Sequence, residues 1–197
     1  MKIYDISQEV FSSEVYPGDP SPKRETLCIR YDKGSYNLTS FSMGAHNGTH
    51  IDAPFHFLNE GNTIDKIPLK KTVGYAFVTE FQGCVTAEDA LKMIKKADRA
   101  HPEAAKRIIL KGDAIITCEA ACVFAERGVY LIGTESQSVG PVDAPAEVHK
   151  ILLGAEVVLL EGARLDEVRE GVYLLNAAPL NLASCDGALC RAILIEL

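Results

Sequence analysis

Positive charge is scarce in this 197-residue chain: 20 lysines and arginines stand against 27 acidic residues, for a net charge of −7. With a pI near 5.3 and the cations scattered among acids, there is no basic face for phosphates, so nucleic acid is excluded as a partner and a small molecule is expected. Long apolar runs are missing too. No stretch reaches the ~20 residues of a membrane span. The start, Met1-Lys2-Ile3-Tyr4-Asp5, sets an acid where a signal peptide needs apolar residues, so a soluble cytoplasmic protein with no membrane partner is expected. The six cysteines form no C-x-x-C pair, and reduced, buried thiols are expected. No G-x-S-x-G elbow occurs, and Cys185 and Cys190 have no histidine near them in sequence, which leaves a serine or cysteine nucleophile little support. Linkers, repeats and low-complexity tracts are absent as well; a hydrophobic content of 47% suffices for one core, so residues 1–197 are expected to form a single domain.

Strand-like and helix-like segments alternate, which predicts an α/β fold. Strands are expected at Lys2 to Ile6, Glu25 to Tyr31, Tyr36 to Met43, Val73 to Phe81, Arg107 to Lys111, Val129 to Ile132, Val157 to Leu160, Val172 to Leu175 and Ala192 to Leu197. A turn-rich loop, Tyr16-Pro17-Gly18-Asp19-Pro20, follows the first of them. Thr86 with Glu88 and Asp89 predicts a helix to about Ala97, because the hydroxyl caps an amide and the acids suit the dipole. A second helix is expected from Thr117 to Glu126, and a third, opened by Asp143 and Pro145, runs to Gly154 and carries His149. Glu161 follows the apolar run Val157 to Leu160, so His149 and Glu161 are both expected beside a sheet edge, where α/β proteins bind ligands.

Four of the five histidines belong to one constellation. His46, His50 and His56 share the segment H-N-G-T-H-I-D-A-P-F-H with Asp52, and His149 and Glu161 form a second candidate pair. A helix is ruled out for the segment by Gly48, Thr49, Ile51 and Pro54, so an extended stretch with His46, Gly48, His50 and Asp52 on one side is expected. Straight, that strand would hold the two histidine α-carbons about 13 Å apart, near the limit for sharing an ion, so it must bend, and Gly48 permits the bend. Imidazoles with carboxylates and no thiolate suit Zn²⁺ first and Mn²⁺ second. A lone histidine is more often a satisfied surface or core residue, and His101, before Pro102 in a polar stretch, is assigned to solvent.

The run H-x-G-T-H-x-D-x-P-x-H resembles the signature of the putative cyclase family, metal-dependent hydrolases that include bacterial kynurenine formamidase and isatin hydrolase. Asp5-Ile6-Ser7, the Tyr16-Pro17-Gly18-Asp19 loop, Gly133-Thr134-Glu135, Leu160-Glu161-Gly162, Ala178-Pro179-Leu180 and Asp186-Gly187 follow in the family's order. The resemblance implies a compact mixed α/β domain of the swivelling β/β/α type and a binuclear zinc site. His46, His50 and Asp52 would bind one ion, Asp52 and His149 the second, and Glu161 both. His56 would be the general acid and base, and Tyr16 would pack against substrate where formamidases have tryptophan. The implied reaction is hydrolysis of an amide-type C–N bond, most nearly that of an arylformamidase, with a cyclic amide, imide or lactone as the other substrate. A homodimer or higher homo-oligomer is implied as well. Four departures stand out: the chain has no tryptophan, Glu135 replaces an aspartate, Gln137 replaces a proline, and the C-terminal Asp186-Gly187-Ala188-Leu189-Cys190-Arg191 lacks the usual Ser-Pro. A reading from another class, a metal- or ligand-binding protein without turnover, has no need of His56.

Overall fold

The computed structural model describes residues 1–30, 36–141 and 143–196. In chain order the strands and helices are β1 (Lys2–Asp5), β2 (Lys23–Cys28), β3 (Leu38–Ser42), β4 (His50–Asp52), β5 (Val73–Glu80), β6 (Gly83–Val85), α1 (Ala87–Ala100), β7 (Arg107–Lys111), β8 (Ala114–Ile116), α2 (Cys118–Glu126), β9 (Leu131–Thr134), α3 (Pro145–Gly154), β10 (Val158–Glu161), β11 (Gly171–Asn176), β12 (Gly187–Leu189) and β13 (Ile193–Glu196). Nine strands make one sheet in the order β1-β13-β11-β5-β7-β9-β10-β4-β12. Its middle, β5-β7-β9-β10, is parallel, and antiparallel pairs extend it on both sides. β2 and β3 form a separate antiparallel ribbon, and β6 pairs with β8.

Why the middle strands read as unbroken apolar runs follows from burial on both faces. Ile108 and Leu110 of β7 and Leu159 of β10 pack with Ala97, Phe124, Val148 and Leu152 of the three helices. Ile109, Val158 and Leu160, pointing the other way, pack with Ile51, Leu175 and Leu194. The expected α/β class and single compact domain are therefore those of the structure.

Several boundaries carry their predicted cause. Thr86 accepts from the Asp89 amide while the Asp89 carboxylate accepts from the Thr86 amide, a reciprocal cap that starts α1. Thr117 accepts from the Ala120 amide at the start of α2. Asp143 does not cap α3; the N-cap is Ala144 and the start rests on Pro145 in the first turn. The expected strands at Glu25 to Tyr31 and Ala192 to Leu197 each run into residues outside the described set, Tyr31 and Leu197. Two expectations need correction. His101 is not simply solvated: its ring lies 4.0 Å from that of Tyr75 and its Nδ1 is buried. The cysteines are free, but Cys84, Cys118 and Cys122 are exposed; only Cys190 is buried, and burial pushes its thiol up to about 12, which disables it as a nucleophile at neutral pH.

Candidate metal centre

Two strands and a helix assemble the centre. β4 runs antiparallel to β10 with His50 opposite Glu161 and Asp52 opposite Leu159, so both β4 side chains project on the helix side of the sheet, where α3 brings His149. The histidine segment is strand only over His50–Asp52. The chain turns at His46 and bends through Gly48, whose φ of +66° is the left-handed conformation glycine permits. His46 thus enters from a turn rather than along the strand, which is how it escapes the separation a straight strand would impose.

Asp52 sits at the middle. Its Oδ1 lies 2.8 Å from His46 Nδ1 and 3.3 Å from His50 Nε2, and its Oδ2 lies 3.7 Å from His149 Nε2. Glu161 spans His50 and His149, with Oε2 3.5 Å from His50 Nε2 and Oε1 3.2 Å from His149 Nε2; the Val139 amide donates to Oε1 at 2.9 Å. The second nitrogen of these two rings is engaged. His50 Nδ1 donates to the Gly48 carbonyl at 3.0 Å and His149 Nδ1 to that of Pro145 at 2.8 Å, so Nε2 of each faces the carboxylates, the orientation a ligand imidazole requires. His46-His50-Asp52 and Asp52-His149-Glu161 each gather three donor atoms within 4.8 Å, and His46-His56-Asp186 makes a third such group.

These residues fit a divalent metal. His50 Nε2 and Asp52 Oδ2 are buried without a hydrogen-bond partner. An unmatched buried polar atom costs about 1–3 kcal/mol, and a cation held among these ligand-type atoms would satisfy both. The electrostatics agree. Burial opposes charge on His50, yet the carboxylates of Asp52 and Glu161 outweigh it and hold its pKa up to about 10. Carboxylates raise His46 and His149 against burial as well, and Asp52 is held well below its usual range, burial notwithstanding, by His46 and His50. When no metal is bound, protons occupy the nitrogens a metal would take. Metal binding should therefore release at least about one proton per chain at pH 7, and apparent affinity should fall as pH is lowered. Calorimetric titration in buffers of different ionisation enthalpy measures this; a heat independent of buffer would contradict it.

A cavity of about 370 Å³ opens on the centre, with Tyr16, His56, Phe57, Gln137, Ser138 and Asp186 among its walls. All seven candidate residues from the sequence line or hold this one place: His46, His50, Asp52, His149 and Glu161 cluster, while His56 and Tyr16 reach the cavity. His56 differs electrostatically from the others. Burial lowers its pKa, and the charge of Asp52 does not reverse the shift, so it is neutral at pH 7. Asp186, in sequence only one half of an Asp-Gly pair, joins the site in space: its Oδ2 lies 2.9 Å from His46 Nε2 and 3.3 Å from His56 Nδ1. Glu135 acts elsewhere. Its oxygens accept from the Gly112 and Leu165 amides at 2.7 and 2.9 Å, tying two loops together outside the metal cluster.

The profile of the putative cyclase family matches residues 4–141, which include the histidine segment but stop short of His149, Glu161 and Asp186. Full-length relatives cover those positions. The chain is 36% identical over 211 residues to a kynurenine formamidase of Erythrobacter litoralis, a match spanning 100% of this chain and 94% of that one. With a kynurenine formamidase of Bacillus cytotoxicus it shares 33% over 205 residues, 96% of this chain and 95% of the relative. Among solved structures, one described as a potential metal-dependent hydrolase with cyclase activity superposes with a TM-score of 0.81 at 28% identity, covering 98% of this chain and 96% of the other. Isatin hydrolase A from Labrenzia aggregata, at 20% identity, shares the fold with a TM-score of 0.83 over 100% of this chain and 94% of its own. A buried histidine and carboxylate cluster on this fold, within a sequence that aligns end to end with these proteins, places the chain in the putative cyclase family of metal-dependent hydrolases.

Proposed function

We propose that the chain is a metal-dependent amidohydrolase of the arylformamidase type, converting N-formylkynurenine and water to kynurenine and formate. The observation that carries this reading is the pair of ligand triads sharing Asp52 beside a cavity that is also lined by His56. His46, His50 and Asp52 would hold one ion and Asp52, His149 and Glu161 another; zinc is the first choice and manganese the second, given the nitrogen and oxygen donors. When bound, such ions supply a Lewis acid that polarises a carbonyl and lowers the pKa of water toward about 7. His56, neutral at pH 7, takes the proton from the attacking water and delivers it to the leaving nitrogen as the C–N bond breaks. Tyr16 and Phe57 give the cavity aromatic walls for an aryl group.

The test is elemental analysis with hydrolysis of N-formylkynurenine before and after chelation, and again with zinc or manganese restored. About two ions per chain and chelator-sensitive activity support the reading; bound metal without turnover of either substrate class supports instead a binding protein. A second substrate class is a cyclic amide such as isatin, because an isatin hydrolase shares this fold. The ratio of kcat/KM for isatin and N-formylkynurenine decides between them.

We also infer a homodimer and a cytoplasmic location, with residues 1–197 as one catalytic domain. Among the described residues no helix is long and apolar enough to cross a membrane. The β2–β3 ribbon exposes Leu27, Leu38 and Phe41, and Phe11 packs edge-on to Phe41. Phe41 lies on one face of the ribbon and Leu38 on the other; a lone two-stranded ribbon is marginal in water, so a second copy of the chain packed against it is the matching cover. Light scattering should give twice the 21.4 kDa chain mass, and Leu27→Asp with Phe41→Asp should return it to that of one chain. A monomeric parent would contradict the dimer.

A further inference from the structure

We propose that Asp186 is a positioning residue that sets the ring orientation and tautomer of His56, and holds His46 with the same oxygen. The proposal rests on the reading of His56 as the proton carrier. Asp186 Oδ2 stands 2.9 Å from His46 Nε2 and 3.3 Å from His56 Nδ1, and the two rings stack with centroids 3.9 Å apart at 29°. An ionised carboxylate only accepts hydrogen bonds, so both nitrogens must donate to it. For His56 this places the hydrogen on Nδ1 and leaves Nε2 as the atom that can take a proton. His46 is held from both sides, its Nδ1 lying 2.8 Å from Asp52 Oδ1, so that ring keeps its place without depending on Asp186 alone.

The backbone around Asp186 is built for that contact. The Ala53 amide donates to the Asp186 carbonyl at 2.9 Å, and the next residue, Gly187, stands opposite Asp52 in the β4–β12 pair. A β-carbon on Gly187 would lie 2.7 Å from His46 Cε1 and 2.9 Å from the Ile51 carbonyl oxygen, closer than real side chains approach. The glycine lets the strand come near enough for the preceding carboxylate to reach both rings. In the reaction this serves, the proton leaves water for His56 Nε2 and then passes to the leaving nitrogen, while Asp186 stays ionised throughout.

The test uses the full-length zinc-loaded protein with N-formylkynurenine and isatin as substrates. Asp186→Asn keeps the shape but can turn an NH₂ toward His56, favouring the wrong tautomer. It should lower kcat about 10- to 100-fold, with KM changed less than about threefold and metal content unchanged. Adding Asp186→Asn to His56→Ala should cost little more than His56→Ala alone, because groups acting as a unit are not additive. Nitrogen-15 NMR of the histidine rings provides a readout free of turnover: the His56 signal, assigned by its loss in His56→Ala, should show Nδ1–H in the parent and shift away from it in Asp186→Ala. Fully multiplicative kcat losses, loss of metal from Asp186→Asn, or an unchanged His56 tautomer in Asp186→Ala would overturn the proposal. Parent-like turnover by His56→Ala would overturn the proton-carrier reading itself, a failure distinguishable because it needs no Asp186 variant to reveal it.

Discussion

Asp52→Asn should leave the purified protein short of metal and reduce kcat/KM at least about 10⁴-fold, the scale on which Lewis-acid catalysis contributes. The substitution is nearly isosteric, so it removes charge while preserving the packing around a fully buried side chain. Asp52 is the one carboxylate shared by the two ligand triads, and it faces His46, His50 and His149 together. Without its charge, Glu161 is the carboxylate left between His50 and His149. The metal-free proteins should differ as well. In the parent, His50 has a folded pKa of about 10 against an unfolded value near 6.5, so its contribution to stability is fully present below about pH 6.5 and is lost as pH rises through about 10. Asp52, held low, contributes above its unfolded range and loses that contribution in acid. Thermal melts of chelated protein should therefore weaken toward both extremes, and Asp52→Asn should flatten the profile. Wild-type metal content in the variant would sink this account.

His56→Ala should separate turnover from metal content. Loss of a general acid and base typically costs about 10²–10⁴ in rate, and a comparable fall in kcat is expected here. Metal content should stay at the parent level, because the two triads around Asp52 do not include His56: its Nδ1 is turned to Asp186 instead. Its lowered pKa, caused chiefly by burial, leaves it unprotonated at neutral pH, whereas His50 holds its proton to about pH 10 unless a metal displaces it. Elemental analysis beside steady-state kinetics checks the separation. If metal fell together with activity, His56 would have to be reassigned as a ligand through the His46-His56-Asp186 group.

Much of this can be read in the residues because the causes are local. Arg107 to Lys111 is apolar enough to announce a strand buried on both sides, and Thr86 with Asp89 announces a helix start. The histidine segment condenses most of a metal site into eleven residues, so its chemistry shows before any fold is known. What stays hidden is non-local. β4 and β12 are three residues each, too short for a period to show, and their pairing across more than a hundred residues comes from register alone. Asp186 and His56 are 130 positions apart, and no spacing rule connects them. His101 reads as solvated for the same reason: Tyr75, the ring that covers it, lies on a distant strand. Glu135 looks like a departure near the site, but its partners, Gly112 and Leu165, mark it as a brace between loops.

The pairing of His50 with Glu161 across β4 and β10 also bears on how the chain reaches its native state. The donors come from the first third of the sequence and from about a hundred residues further on, so no short piece of the chain brings them together. Closing such long loops is slow, and both strands that β4 pairs with, β10 and β12, come more than about a hundred residues after it in the chain. Tight metal capture should accordingly appear late in refolding, after most secondary structure has formed. A colorimetric chelator competing during refolding would time the arrival of the last strands.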